Sequence, residues 1–340
     1  MSLGLVWRAC LAFVVGIALG LLGVRFIDNT GGSPPGAVDP DFISRLFLVR
    51  QANTGELISL QIGPFEVGQN DFRITLLNPL GKPQRFDSAR LRFSRLESGE
   101  APEEVDTAPA GKSRGSSFPL TEPGWWQIDV VVNTDSTASF YLKLDRPSTA
   151  PRAFAPPAYV SDQNAQRMFE AAIARYERLE GLRRSEELTS GDPGPSKFGV
   201  WFVTSIDANP QGFHATTVGM DRSDSSELFS DNSRQCIRPF RDTWQCTAGS
   251  APIGPFDLGY LRTAIGLKRG SEEVIDGEMT QVIFFYNPSQ GAWYAWWIGE
   301  ETLYIRRQVM VANGHFMLDR FSGHDVPVAI QPKDLAIQSR

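Results

Sequence analysis

The segment Gly291–Ile330 reads GAWYAWWIGEETLYIRRQVMVANGHFMLDRFSGHDVPVAI, and it decides the fold of the C-terminal half of the chain. It combines an aromatic strand, a tight connection, a long strand, the dipeptide Asn313-Gly314 and a third strand. Asn-Gly between alternating apolar residues predicts a two-residue hairpin, because a type I′ turn requires positive φ at both central positions. The predicted cross-strand pairs are Val309–Leu318 and Val311–Phe316 on one face and Met310–Met317 on the other. Both faces are therefore partly apolar, so something must cover the second face.

Length and charge limit the possible partners. The chain has 340 residues and a formal net charge of −6 at pH 7. This length suits two domains of ordinary size plus additional segments. No block of lysine or arginine stands out in the sequence. Because nucleic-acid binding depends on clustered cations that neutralise phosphates, no nucleic-acid partner is expected.

The N-terminal segment Leu3–Ile27 is almost wholly apolar and is interrupted by Arg8 and Arg25. As a helix it is long enough to cross a bilayer, so we predict a transmembrane anchor at residues 1–28. A cleaved signal peptide is the alternative, but no A-x-A-like cleavage site follows Gly23. The charged flanks favour a cytoplasmic-membrane, single-pass location with the bulk of the chain extracytoplasmic.

The next segments read as a spacer and a β-domain. Residues 29–54 are rich in Gly, Pro and Asp and are predicted to be a linker, in which we interpret the apolar run Phe42–Val49 as a short helix. In residues 55–147 the pattern changes to short alternating runs separated by turn residues. About seven strands with no helical period predict an all-β immunoglobulin-like sandwich.

Four strings in this predicted sandwich carry a family resemblance: GQNDFRITLLNPLGKP, ARLRFSRLESGE, LTEPGWWQIDVVV and ASFYLKLDRP. They resemble the YtkA-like β-sandwich domain of copper-resistance D-type proteins, which implies copper handling. Residues 29–167 contain no His, Met or Cys, whereas copper sites are built from imidazole, thiolate and thioether groups. The sandwich is therefore expected to be a spacer or a docking module rather than a metal site.

The C-terminal domain follows a Pro- and Ala-rich linker at residues 148–157. Apolar residues recur at helical spacing from Ala165 to Leu179 and predict a helix that is capped by Ser161 or Asp162. A second helix is predicted at Phe256–Lys268. The remaining runs alternate like strands, so this domain is expected to be α+β, with a long curved antiparallel sheet wrapping two helices.

Two cysteines lie close together in RQCIRPFRDTWQC, at Cys236 and Cys246. A hairpin centred on Arg241 places them directly opposite each other, and paired strands can hold a disulfide when the Cα atoms are close. No His or third Cys lies nearby in the sequence. A structural disulfide is therefore predicted over a free-thiol pair or a metal pair.

The order of elements in residues 158–335 resembles the lipoprotein-carrier fold of the LolA and LppX/LprG kind. An amphipathic helix comes first, and the cysteine hairpin, a helix, the turn Asp276-Gly277, QVIFFY and the aromatic segment follow. In that family a curved sheet wraps the helices and leaves an apolar cavity for acyl chains. The resemblance implies such a cavity here, with a lining of Met168, Phe169, Ile173, Tyr176, Phe202, Leu261, Ile265, Phe284, Trp293, Trp297, Ile305, Val309, Val311, Phe316 and Leu318.

Groups suited to catalysis are sparse. The histidines are His214, His315 and His324, and none lies in a recognised catalytic motif. His315 follows the Asn-Gly turn and is expected to be exposed. His324 precedes Asp325, but neighbouring residues on a strand point to opposite faces, so no dyad is expected. We therefore expect no enzyme activity, no catalytic residue, no cofactor and no metal site.

The leading hypothesis is a membrane-anchored, extracytoplasmic, non-catalytic protein that binds a lipid or other apolar ligand in its C-terminal domain. The alternative is an accessory protein of copper or envelope homeostasis that acts through protein contacts of the sandwich. Expected partners are the membrane through the N-terminal helix, a lipid or apolar small molecule, and an envelope protein. A fully packed core is the simpler interpretation of the aromatic residues. Core residues and cavity-lining residues both point inward from their strands, so the sequence pattern does not distinguish them.

Overall fold

The computed structural model describes residues 46–144, 161–190, 200–220, 225–249, 256–312, 315–332 and 334–335. The first part forms nine strands: β1 (Leu46–Gln51), β2 (Leu57–Gly63), β3 (Gly68–Leu77), β4 (Ala89–Arg95), β5 (Glu103–Asp106), β6 (Ala108–Ala110), β7 (Ser113–Leu120), β8 (Gly124–Val132) and β9 (Ser136–Leu144). They make two antiparallel sheets, in the orders β1-β2-β3-β7-β6 and β5-β4-β8-β9. The inner faces meet where Phe93 stacks on Phe118 with ring centroids 3.9 Å apart. This part is a β-sandwich.

Strand β1 occupies the apolar run that the sequence pattern placed in a linker and interpreted as a short helix. Its residues Leu46 and Leu48 point into the core of the sandwich, whereas Val49 packs beside Trp201 on the other side. This alternation is that of a strand buried on both faces, which reads as a continuous apolar run in the sequence. The described part of the predicted short helix is therefore a strand.

The second part is one antiparallel sheet of eleven strands: β10 (Leu182–Ser190), β11 (Val200–Asn209), β12 (Gly212–Gly219), β13 (Ser226–Asp231), β14 (Arg234–Pro239), β15 (Gln245–Ala248), β16 (Ile265–Ile275), β17 (Glu278–Asn287), β18 (Ala292–Gly299), β19 (Ile305–Ala312) and β20 (His315–Ser322). The strand order is β15-β14-β13-β12-β11-β10-β20-β19-β18-β17-β16. Strands β10 and β20, far apart in sequence, therefore lie side by side at the centre.

The helix α1 (Gln163–Tyr176) begins where the sequence predicted. The carboxylate of Asp162 caps it by accepting hydrogen bonds from the backbone N–H groups of Asn164 at 2.7 Å and Ala165 at 3.3 Å. The buried stripe also matches the predicted spacing and comprises Ala165, Phe169, Ala172, Ile173 and Tyr176. This helix is confirmed.

The predicted second helix at Phe256–Lys268 is wrong. Gly259–Thr263 forms one short 3-10 helix, and strand β16 starts at Ile265. Gly266 has φ +65°, which ends any right-handed helix there, and β16 pairs with β17. The predicted α+β class with a sheet wrapping two helices is therefore corrected: the described residues are mainly β, with α1 as their one α-helix.

The predicted transmembrane helix and single-pass membrane location are also corrected. No helix in the described ranges is long and apolar enough to cross a membrane. The segment from which the anchor was predicted, Leu3–Ile27, lies outside the described residues.

The turns of the C-terminal sheet follow their sequence signals. Strand β19 pairs with β20 in the predicted register, with Val311 opposite Phe316 and Met310 opposite Met317. The connecting residues 313–314 lie outside the described residues. Asp276 and Gly277, between β16 and β17, have φ of 52° and 82°, as a type I′ turn requires. The register of this half of the sheet was therefore predictable from local sequence.

The disulfide Cys236–Cys246 is present, with Cα atoms 4.0 Å apart in directly opposed positions of β14 and β15. It ties the last strand of the sheet to its neighbour. The bridge lies beside Phe229, Trp244, Ile330 and Leu335 in a small buried cluster. The prediction of a structural disulfide is confirmed.

Replacement of both Cys236 and Cys246 by Ala is expected to lower the free energy of unfolding by about 2 kcal/mol, because the bridge restricts the unfolded chain. Thermal unfolding of the full chain measures the change. Wild-type protein in reductant should unfold like the double variant, and the variant itself should not respond to reductant. An unchanged wild-type midpoint in reductant would contradict this expectation.

Candidate functional site

The large sheet has one face covered by the β-sandwich, which we call the sandwich face. Tyr141 of β9 meets Trp297 edge-on at 5.4 Å, and Trp125 of β8 stacks on Phe284 at 5.6 Å. Arg307 donates a hydrogen bond to the hydroxyl of Tyr141 at 2.9 Å. Neighbouring sheet residues and the sandwich core form one continuous apolar cluster. The face that carries Val309, Val311, Phe316 and Leu318 is thus covered by the chain's own sandwich.

The opposite face, which we call the helix face, packs against α1. Phe169 lies 4.8 Å from Phe285 and 4.9 Å from Trp296, measured between ring centroids. Tyr294 stacks on Phe285 at 5.0 Å. At these separations the rings are in contact, so the space between the middle of α1 and strands β17 and β18 is filled by side chains.

The residues predicted to line one cavity lie on both faces of the sheet. Those on the helix face or packed against it are Met168, Phe169, Ile173, Tyr176, Phe202, Leu261 and Ile305. Those packed toward the sandwich are Ile265, Phe284, Trp293, Trp297, Val309, Val311, Phe316 and Leu318. The structure therefore brings together the first group and separates it from the second by the thickness of the sheet.

A row of polar side chains crosses the helix face at right angles to the strands. The register places its members opposite one another on consecutive strands, in the order Thr217, Thr204, Glu186, Asp319, Gln308 and Trp296. Opposed residues of paired strands share a face. Gln308 donates to Asp319 at 2.6 Å and accepts from the indole N–H of Trp296 at 2.6 Å. A connected polar row thus runs through an otherwise apolar surface.

Arg184 balances part of the charge in this row. Its guanidinium donates to Asp319 at 2.9 Å and to Glu186 at 2.7 Å. Asp319 is 0% and Glu186 8% exposed. Burial raises the pKa of both carboxyl groups, although Arg184 acts in the opposite direction. One cation therefore faces two buried carboxyl groups that resist simultaneous ionisation.

An apolar row runs parallel to the polar row, one side-chain position further along the strands. Its members are Phe202, Leu188, Met317 and Met310, which lie opposite one another on β11, β10, β20 and β19. All four are half-buried, unlike the fully buried aromatic residues beneath α1. We call these four residues the apolar strip. Three inter-strand spacings make it about 14 Å long.

His315 lies at the other border of the apolar strip. It is two residues from Met317 on β20 and therefore shares the helix face. Its ring is half-buried, and its Nδ1 atom is buried without a hydrogen-bond partner in the part of the chain that the structure describes. Burial lowers the pKa of His315. His315 was expected to be exposed, and it is instead half-buried.

The other histidines lie away from the apolar strip. His324 stacks on Tyr304 at 4.3 Å, and its Nε2 atom lies 3.1 Å from the carbonyl oxygen of Ile305. Burial, reinforced by Arg306, lowers the pKa of His324 to about 4. His214 lies 3.2 Å from Glu227 in an ion-pair arrangement on the opposite face. The described contacts thus place the histidines in three separate surroundings.

Metal-binding groups do not cluster in the part of the chain that the structure describes: no three side chains of His, Cys, Asp or Glu come together there. The copper-related alternative therefore stays a prediction. Two open clefts lie at the borders of the sheet. One, of about 260 Å³, is lined in part by Val218, Glu227 and Phe240, and the other, of about 410 Å³, by Arg167, Met168 and Leu303 among others.

No family model and no curated protein matches the chain. Solved structures match about half of it. The lipoprotein LppX of Mycobacterium tuberculosis is 17% identical over 50% of this chain and 100% of that chain, with a TM-score of 0.40. LprF of Mycobacterium bovis is 13% identical over 51% and 98%, with a TM-score of 0.38. A LolA superfamily protein of Nitrosomonas europaea is 9% identical over 50% and 96%, with a TM-score of 0.24.

The resemblance to lipoprotein carriers that the sequence predicted is found among these solved structures, as a likeness of fold alone. The YtkA-like resemblance of residues 55–147 stays a prediction. The function proposed below rests on the contacts of this chain.

Sequence reasoning missed most of the half-buried apolar surface on the helix face. Of the apolar strip it named Phe202 as a candidate, but it did not name Leu188, Met310 or Met317. The signal was present in part, because Met310 and Met317 were correctly paired on the face opposite Val311. The position of Glu186 beside Asp319 depends on pairing of β10 with β20, which local sequence does not specify.

Proposed function

We propose that this chain is a non-catalytic binding protein for a lipid or a similar apolar molecule, held along the apolar strip on the helix face. The observation that carries the proposal is that Phe202, Leu188, Met317 and Met310 remain half-buried in a line. The rings beneath α1 and most apolar residues on the sandwich face are, by contrast, fully packed. An aliphatic chain lying across the four strands would remove this line from water.

The dimensions and composition of the strip suit an extended aliphatic chain. It is about 14 Å long, and each methylene group that it removes from water contributes about 0.8 kcal/mol. Two of its four residues are methionines, whose flexible side chains adapt to ligands of different shape. Tyr260 and Ala312 lie nearby among the partly buried residues that pack against the helix-face core.

Two of the three histidines, His315 and His324, lack the arrangement that general-base catalysis needs. Activation of a nucleophile needs a base within hydrogen-bond reach that is itself held by a third group. Nδ1 of His315 has no hydrogen-bond partner among the described residues, and His324 contacts a backbone carbonyl. Neither arrangement supplies such a pair.

Lipid extraction and native mass spectrometry of the full chain, purified without detergent, test the proposal. Wild-type protein is expected to retain a lipid or to bind an apolar fluorescent dye in a displaceable manner. The double variant Leu188→Gln, Met317→Gln is expected to bind the dye at least about tenfold more weakly, since each substitution adds a polar group to the strip.

The matched control is Val274→Gln, because Val274 is 59% exposed and lies at the end of β16, away from the strip. This control should bind like wild type. Equal binding by wild type and the double variant would show that the strip is not the site. Absence of both retained lipid and dye binding in wild-type protein would reject the proposed function.

A further inference from the structure

An aliphatic chain on the apolar strip would lie next to the polar row but would form no hydrogen bond with it. We propose that the ligand has a hydrogen-bond-donating head group, an amine or a hydroxyl, which binds the Glu186 carboxyl group beside Asp319 while its chain lies on the strip. This inference rests on the proposed function and deepens it, because it names the class of amphiphile that the site selects.

The register places Glu186 at the border between the two rows. On the helix face of β10 it stands between Arg184 and Leu188, and Leu188 belongs to the apolar strip. Glu186 also lies directly opposite Asp319 on β20. Successive residues on one face of a strand are about 7 Å apart. A head group at the Glu186 carboxyl is therefore within reach of a chain that passes over Leu188.

Glu186 retains hydrogen-bonding capacity toward such a group. Its Oε2 atom accepts a hydrogen bond from Arg184, whereas Oε1 receives none from the side chains and backbone that the structure describes. An ionised carboxylate can accept several hydrogen bonds. Asp319, by contrast, accepts from both Arg184 and Gln308. Of the two carboxyl groups, it is thus Glu186 that keeps an acceptor without a described donor, and Glu186 borders the apolar strip. Its side chain is 8% exposed.

The charge at this place sets the preferred head group. Two carboxyl groups share Arg184, and a second buried cation, Arg50, lies on the sandwich face. A buried excess of negative charge is costly unless a further donor or cation compensates it. An ammonium or hydroxyl group supplies a donor, whereas a carboxylate or phosphate head group would add repulsion. The site should therefore bind ligands of equal chain length with affinities that depend on the head group.

Matched single-chain probes test this inference on the full-length protein. Dodecylamine, 1-dodecanol and dodecanoate, each below its aggregation concentration, compete for a bound apolar dye at pH 8. Dodecylamine is expected to bind at least about tenfold more tightly than dodecanoate, with 1-dodecanol between them, because a charge-assisted hydrogen bond forms with the amine. In Glu186→Gln the difference between amine and carboxylate should fall below about threefold.

The outcomes separate this inference from the proposed function. Equal affinity of wild-type protein for the three probes would overturn the head-group assignment and leave the apolar site standing. No binding of any probe would reject the proposed function itself. The wild-type series decides the head-group preference even if Glu186→Gln folds poorly. Val274→Gln, away from both rows, serves as the control that should keep the wild-type order of probes.

Discussion

Replacement of Arg50 by Met is expected to lower the free energy of unfolding by about 3–5 kcal/mol, because it removes a buried cation that faces a buried carboxylate. Arg50 lies on β1 of the sandwich and is 2% exposed. Its guanidinium donates to the carbonyl oxygens of Glu187 at 2.9 Å and Phe316 at 3.4 Å. Burial lowers the pKa of Arg50, and the nearby charge of Glu187 opposes this effect.

The expected loss of stability in Arg50→Met has two sources. The first is the carboxylate of Glu187, which is 1% exposed and accepts hydrogen bonds from the backbone N–H of Gln51 at 2.5 Å and the indole of Trp201 at 2.8 Å. The second is the pair of carbonyl oxygens, of which each loses a donor. Because Arg50 joins the sandwich to β10 and β20, its removal should loosen the contact between the two parts.

Urea unfolding, monitored by tryptophan fluorescence, measures the change in stability. It gives the midpoint of the transition and the slope of the free energy of unfolding against urea concentration. The double variant Arg50→Met, Glu187→Gln should lose less stability than the sum of the two single variants, since the charges that face each other disappear together. Arg90→Met removes an arginine from exposed ion pairs with Glu104 and Asp106 and should unfold close to wild type. Strict additivity in the double variant would contradict the assigned coupling.

The second large effect is a pH dependence of stability that Glu186→Gln should reduce. Burial raises the pKa of the Glu186 carboxyl to about 7, while in the unfolded chain it titrates near the ordinary value for glutamate of about 4.3. Between these values the folded state binds a proton that the unfolded state has released. Stability from this group is therefore fully present below about pH 4 and is lost as the pH rises through about 7.

Wild-type stability is thus expected to fall relative to Glu186→Gln by on the order of 3 kcal/mol between pH 4 and pH 8. Arg184 and Asp319 act directly on this carboxyl, and Tyr260 lies near the same charges. Tyr176 and Tyr294 lie near Arg184 and Asp319. All of these groups are present in both proteins, so the difference between the two unfolding curves reports the removal of Glu186 together with its effect on Asp319. Leu188→Gln, which keeps the carboxyl group, should retain the wild-type pH dependence. A constant difference between wild type and Glu186→Gln would contradict the raised pKa.

Local signals predicted the parts of the fold that depend on neighbouring residues. Spacing and an N-cap identified α1, the two cysteines identified their bridge, and Asn313-Gly314 fixed which residues of β19 and β20 oppose each other. In each case the physical cause acts over a few residues along the chain. The predicted helix at Phe256–Lys268 failed because pairing of β16 with β17 overrides its apolar spacing.

The candidate site was less predictable because it depends on which surface covers each face of the sheet. Alternation shows that Val309 and Met310 point to opposite sides, but it does not reveal that the sandwich lies on one of them. A single cavity was therefore assigned residues from both sides. The polar row was even harder to predict, since Glu186 and Asp319 come from strands that meet only in the folded chain.

The two outer strands of the large sheet bear on how the molecule behaves at high concentration. An open sheet exposes backbone donors and acceptors at its edges, where another chain can add a strand and begin to aggregate. At one edge β15 has four residues and is cross-linked to β14. At the other, β16 contains two irregularities, and the N–H of Ser271 already donates to the carbonyl of Leu96 in the sandwich. Each edge thus carries its own barrier against polymerisation.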